Sequence, residues 1–275
     1  MKKETKKAKQ LFTELRPLFE NIDPQLKNIA TDDFLTNAIK AQNILGKTNQ
    51  KKIKQSQEFL DQSKKDLHSS KLLYTNKEFG NSVSMFQQCI EKASKSYGLR
   101  TGFIKNAKEI RHESPLVFIK GLKKILIENN MIEMIEKYTG SDEREKITDA
   151  EITIKSEKEE LTKMTAEQLD TLINLINQLP KLSIDALKTK LQPVEQLVNL
   201  FIPNFEQILS TTFLPIKLYV LSIISYKHWQ RSHYPDTSIL SAKDYNLNMP
   251  LVKRLPELHA ISEELLKGID KLLYT

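Results

Sequence analysis

Cysteine is nearly absent. Cys89 stands alone among 275 residues, so the chain cannot close a disulfide on itself or build a cysteine-based zinc site. A reducing compartment is the expectation. Glycine is also scarce, with seven residues, few for a fold made of tight turns. Neither GxGxxG nor GxxxxGK followed by Ser or Thr occurs, which leaves dinucleotide-binding and P-loop enzymes without support. No long apolar run follows the charged N-terminus, because Glu14, Arg16 and Pro17 break the stretch from Leu11 to Phe19. The most apolar window, Ile208 to Tyr226, carries Pro215 and Lys217 at its middle and reads as a buried core helix. A cytoplasmic protein with no stable membrane insertion is expected. Surface attachment through Phe12 and Phe19 ranks last, since Glu14 and Glu20 dilute the basic face.

Hydrophobic residues make up 39% of the chain and charged residues 28%, enough apolar content for a sizeable core. The net charge of +7 is uneven. Residues 1–140 hold 26 Lys+Arg against 16 Asp+Glu, leaving 16 against 19 for the remainder. An anionic partner of the first half and a lysine-rich solvated surface both fit. The second is preferred, because few arginines or aromatic rings lie among the lysines.

Apolar residues recur at helical spacing and strand alternation is scarce, so the fold class is all-α. Helices are expected over 3–20 and from Asp23-Pro24 to Gly46. A third runs from Lys51 to Tyr74, with Ile53, Leu60, Leu67 and Leu73 on one side. Asn76 to Gly80 reads as a turn, and a helix from Asn81 to Tyr97 closes at Gly98. Ser114-Pro115 caps a helix reaching Tyr138. Residues 141–160 hold eight acids and four bases and read as a charged linker or exposed excursion. Thr165 then caps a helix stopped by Pro180, and Pro193 and Pro203 divide the next ones. An apolar helix from Ile208 ends near Arg231, and Pro250 to Leu273 gives one more helix, starting properly after Pro256. The expected division is an N-terminal helical extension (1–50), a helical bundle (51–140), the linker (141–160) and a C-terminal helical region (161–275).

Phe59 to Ile104 is the most informative stretch. Asp66-Leu67 lies on its first helix; Phe86-Gln87-Gln88, Glu91-Lys92 and Lys95 lie on its second. This resembles the HEPN domain, in which an Asp-Leu helix precedes one with the pattern F-x-Q-Q-x-x-E-K-x-x-K. The resemblance implies a HEPN-like helical bundle with additional helices on either side. The same residues also read as plain helix: Val83, Phe86, Ile90, Ala93 and Tyr97 form an apolar face, and Glu91 and Lys95 an i,i+4 pair.

Many HEPN proteins are metal-independent ribonucleases with an Arg, four to six residues, then a His. The His would act as acid or base and the Arg would hold a phosphate oxygen. Two such bundles usually face one another. HEPN-like proteins often sit beside nucleotidyltransferases or in phage-defence and toxin–antitoxin systems. The resemblance thus implies a homodimer or a partner subunit, with RNA or a nucleotide as candidate ligand and no cofactor.

This chain departs from the pattern. Arg111 and His112 are adjacent in the connector after the second helix, and only Lys105 stands six residues before His112. The literal match, Arg254-Leu-Pro-Glu-Leu-His259, lies outside the HEPN-like stretch. His112 suits either a phosphate site at the start of the Pro115 helix or a capping and packing role. A second cluster, His228 to Asp236, contains the sole tryptophan and suits an anionic ligand, a metal, or a packed helix end. Arg111, His112, Arg231 and His233 are therefore the candidate catalytic residues. Lys105, His228, Tyr234 and Asp236 are the candidate ligand-binding residues, with no metal site assigned. The leading reading is a binding or assembly module. Its alternatives are a metal-independent ribonuclease and a non-catalytic RNA- or nucleotide-binding protein.

Overall fold

A computed structural model describes residues 50–124, 142, 145, 148–149, 164–191, 214–226, 228 and 242–274. The expected helices over 3–20 and 24–45, the part of the Pro115 helix after 124, the breaks at Pro193 and Pro203, and the segment 229–241 lie outside the described residues, as does most of 141–160. The described helices are α1 (Gln50–Thr75), α2 (Phe79–Thr101), α3 (Leu116–Leu122), α4 (Ala166–Leu191), α5 (residues 214–224) and α6 (Pro250–Tyr274). No strand occurs among the described residues, and the fold is all-α.

α1 and α2 form an antiparallel hairpin. The chain leaves α1 through Lys77, whose φ of 64° puts it in the left-handed region, with Glu78 N–H bonded to Leu73 O and Lys77 N–H to Tyr74 O. This pair of bonds satisfies the last carbonyls of α1 and reverses the chain in three residues.

The seam between the two helices is built from small residues at heptad spacing. Ser56 Oγ donates to Ser96 O at 2.9 Å, Ser63 Oγ to Cys89 O at 2.7 Å, and Ser70 Oγ to Ser82 O at 2.7 Å. Leu60 and Leu67 alternate with these serines, and Phe86 and Ala93 do so on α2; all are buried. A hydroxyl this short reaches the opposite backbone only if the helices run close together. That closeness lets each serine satisfy its own polar group inside the core.

α2 is buried along almost its whole length and stands at the centre of the bundle. It does not end at Gly98, as its sequence suggests. It continues to Thr101, and Gly102 takes the left-handed cap at φ 74°. Gly98 is instead a contact glycine: a Cβ there would lie 2.6 Å from Val117 Cγ1, so its absence lets α3 cross closely. Likewise Gly80 lies within α2, which starts at Phe79.

α6 packs antiparallel to α1, joined by Lys64–Asp270 at 2.8 Å and Lys71–Glu263 at 2.5 Å. α6 begins at Pro250, the outer bound expected from the sequence, and passes through Pro256 instead of starting properly after it. An internal proline costs about 3 kcal/mol. Burial of Leu251, Val252 and Leu255 before it, in line with Leu258, Leu265 and Ile269 after it, offsets that cost. Pro180 also fails to stop its helix, since α4 runs on to Leu191. Thr165 caps α4 as expected, in a reciprocal exchange with Gln168. α5 bridges the bundle, Tyr219 meeting Phe118 of α3 and Leu214 lying against Gly268 of α6. No described helix is long and apolar enough to cross a membrane.

The serine seam predicts an asymmetry at position 63. Ser63→Ala, which removes one hydrogen bond, should cost no more than about 1 kcal/mol. Ser63→Leu, which forces the helices apart, should cost about 3 kcal/mol or more. Urea unfolding of both variants measures the difference; equal costs would mean that the close approach is not constrained there.

Candidate functional site

The connector between α2 and α3 carries the candidate residues. Asn106 Oδ1 accepts from Lys108 N–H at 3.0 Å and starts a single 3-10 turn at Ala107–Glu109. Ile110 anchors the connector in the core. The next residue, Arg111, adopts φ 43°, an uncommon conformation for a side chain of this size and one held only by surrounding structure. Both Arg111 and His112 are exposed. Glu113 N–H then returns to Ile110 O at 2.7 Å, and Pro115 stands at the N-cap of α3 without a side-chain cap.

His112 reaches back to α2. Its Nδ1 lies 3.1 Å from Glu91 Oε2, although the imidazole side chain is 61% exposed. Glu91 is buried in α2, and its other oxygen holds Lys95. Lys95 in turn lies over the Phe59 ring at 5.9 Å. A second pair flanks it, Lys92 reaching Asp66 of α1, whose other oxygen accepts from Gln62 at 2.9 Å. The residues Glu91-Lys92-x-x-Lys95 therefore face two directions, one pair locking α1 to α2 and the other reaching the connector.

Lys105 is exposed at the start of the connector, its backbone N–H donating to Glu109 Oε1 at 3.2 Å. Glu109 also pairs with Lys120 of α3 at 3.4 Å. From Arg100 to Lys124 the described chain carries Arg100, Lys105, Lys108, Arg111, Lys120, Lys123 and Lys124 against Glu109 and Glu113 alone. The local surplus is positive, which favours anions near His112.

His228 is buried and shares a 3.0 Å hydrogen bond with Tyr245 Oη. Arg231, His233, Tyr234 and Asp236 lie outside the described residues. The end of α5 nevertheless approaches the connector: burial and the nearby Glu113 carboxylate push the Tyr226 phenol up to about 12. Among the described residues no group of three His, Cys, Asp or Glu side chains is placed to hold a metal. Cys89 is buried in the seam and its thiol is pushed up to about 12, chiefly by burial, which makes it a poor nucleophile.

The literal Arg-x4-His match belongs to the core. His259 is buried, edge-on to Tyr74 and Phe86, with Nε2 2.7 Å from Ser70 Oγ. Ser70 gives its own proton to Ser82 O, so His259 Nε2–H is the donor between them. Arg254 points elsewhere, pairing with Asp170 of α4 at 2.7 Å and with Glu257 at 3.2 Å. Five residues apart on one helix, the two side chains leave on different sides.

Residues 56–179 match the family of the HEPN domain. The match covers just under half of the chain and accords with the all-α bundle described above. The match takes in α1, α2, the connector, α3 and the first half of α4, and it includes the Asp66, Glu91, Lys92 and Lys95 network just described. No curated protein and no solved structure matches the chain. HEPN domains commonly dimerise.

The buried imidazole of His259 sets a pH dependence. Burial, helped by the Lys71 charge, lowers it to about 4 from its ordinary 6.5. Between those values the unfolded chain binds the proton and the folded chain does not. The stabilisation is therefore full above pH 6.5 and is lost as pH falls towards 4, by no more than about 3 kcal/mol. Thermal melts at pH 7 and pH 5 should show the wild type losing more stability than His259→Gln over that interval. Parallel losses would mean that this imidazole takes up its proton without strain.

Proposed function

We propose that this protein is a HEPN binding and assembly module that presents the 105–113 connector to an anionic ligand, RNA or a nucleotide phosphate. A second copy or a partner subunit, such as a nucleotidyltransferase in a phage-defence or toxin–antitoxin setting, supplies the rest of the assembly. The observation that carries this reading is the connector itself, with exposed Arg111 and His112 side by side within a positive surplus. An arginine fork binds a phosphate with two bonds. The burial of His259 in the core supports a module that does not work through the literal Arg-x4-His pair.

A second reading, metal-independent RNA cleavage, is favoured by one observation, the Glu91–His112 hydrogen bond. A carboxylate behind an exposed imidazole is the arrangement of a general base. In that chemistry His112 takes the proton of a ribose 2′-hydroxyl, the 2′-oxygen attacks phosphorus, and the 5′-oxygen leaves as an alcohol after gaining a proton. A 2′,3′-cyclic phosphate remains. Arg111 would hold a non-bridging oxygen. Arg231 and His233, two further candidates from the sequence, would join from the segment after α5, whose end approaches Glu113.

One experiment separates the readings. Purified protein is incubated with mixed tRNA and mRNA in chelator, beside Arg111→Ala and His112→Ala, and binding is followed across a salt series. Binding that weakens steeply with salt and with Arg111→Ala, without cleavage, supports the module. Cleavage lost in His112→Ala makes it a ribonuclease. Neither binding nor cleavage at low salt overturns the RNA ligand altogether.

A further inference from the structure

The chain of charge behind the connector is built from residues of the family's sequence pattern, Glu91 and Lys95, joined to His112 outside it. Glu91 and Lys95 are one turn apart on α2, and both are nearly enclosed, their side chains 10% and 11% exposed. Withdrawing an ion pair from water costs more than the pair returns unless further bonds are made, so an i,i+4 pair serving the helix alone would do better at the surface. The further bond here is the one from His112, which crosses from the connector to Glu91 Oε2 at 3.1 Å.

A carboxylate has no proton to give, so the hydrogen between them sits on His112 Nδ1. We propose that Glu91, held in place by Lys95, is a positioning residue that fixes His112 as its Nδ1–H tautomer, making Nε2 the ring's proton-accepting atom towards the ligand. An unconstrained neutral histidine prefers the opposite tautomer, with the proton on Nε2. The carboxylate reverses that preference and also fixes the plane of the ring. Lys95 keeps the carboxylate from turning away, since its ammonium occupies the other oxygen under the Phe59 ring. The ligand part of this assignment rests on the connector being the ligand surface; the tautomer part does not.

The test reads the tautomer directly. Long-range 1H–15N correlation spectra of the full-length, 15N-labelled protein are recorded at a pH above the imidazole's titration, with His112→Gln identifying the signals. The wild type should show the Nδ1–H pattern for His112. Glu91→Gln, which keeps the shape and removes the charge, should shift the pattern towards Nε2–H while the helical circular dichroism is unchanged. A wild-type Nε2–H pattern overturns the proposal, as does an unchanged pattern in Glu91→Gln. Should Glu91→Gln not fold, the wild-type spectrum decides, and Lys95→Met, which frees the carboxylate to turn, should shift the pattern part of the way towards Nε2–H; an unchanged pattern in Lys95→Met overturns the part given to Lys95. In parallel, Glu91→Gln should lose about tenfold in binding or cleavage of a short oligoribonucleotide. An Nδ1–H tautomer in a protein that neither binds nor cleaves RNA would leave the positioning intact and remove the RNA reading.

Discussion

The close approach of α1 and α2 is the constraint on which the rest of the bundle depends. Ser56, Ser63 and Ser70 face Ser96, Cys89 and Ser82 at seven-residue intervals in opposite directions. Seven residues are two turns, so the same pairing recurs along the seam and sets one register. A shift of one residue would turn the serines away from the opposite carbonyls and drive Leu60 and Leu67 against them. The register then decides which groups of α2 are enclosed. Asp66 meets Lys92 only in this alignment, and Glu91 and Lys95 are left on the side where the connector returns.

α6 completes the bundle by a different kind of contact. It lies along α1 with two ion pairs along its edge, and one turn before Glu263 His259 enters the core against Tyr74 and Phe86. The edge pairs are half-exposed and contribute little to stability. The buried stripe from Leu251 to Ile269 carries the docking, and Ser70 links it to the seam by accepting from His259. A histidine in this position is chosen for its apolar ring and its single useful donor. An arginine four residues earlier in the intervening count is chosen for Asp170. Sequence spacing alone cannot distinguish that pair from a catalytic one, because spacing on a helix says nothing about which neighbours stand opposite.

The fold was legible where periodicity speaks and illegible where small residues do. The reading of α1 as Lys51 to Tyr74 fell within one residue of either end, because its leucines repeat and no breaker interrupts them. The HEPN pattern was legible for a chemical reason: its buried acids and lysines are unusual on a core-facing helix. The serines that line the seam drew no reading, and their heptad spacing was the one available signal. Gly98 looked like a helix end because glycine favours ends, whereas here it clears space for Val117. Pro256 and Pro180 looked like breaks because proline's cost is local and visible, while the burial that offsets it depends on partners distant in sequence. The partition at 140 was placed on composition, and the family match continues to 179.

At the candidate site the sequence singled out His112 and Arg111 but not the residue behind them. Glu91 was visible as part of the HEPN pattern and as half of a helical pair with Lys95, but not as the partner of His112, since that bond spans a helix end, a 3-10 turn and a left-handed residue. None of those can be located by counting. Yet the chain of causes is short. The serine seam places α2, α2 places Glu91, and Ile110 in the core with Arg111 at positive φ brings the connector back over it. Arg111 carries the strained backbone, and the residue after it carries the bond. Substituting a glycine at 111 would relieve that strain but remove the guanidinium. An arginine held in this conformation therefore fits a position where the charge matters more than the backbone's ease.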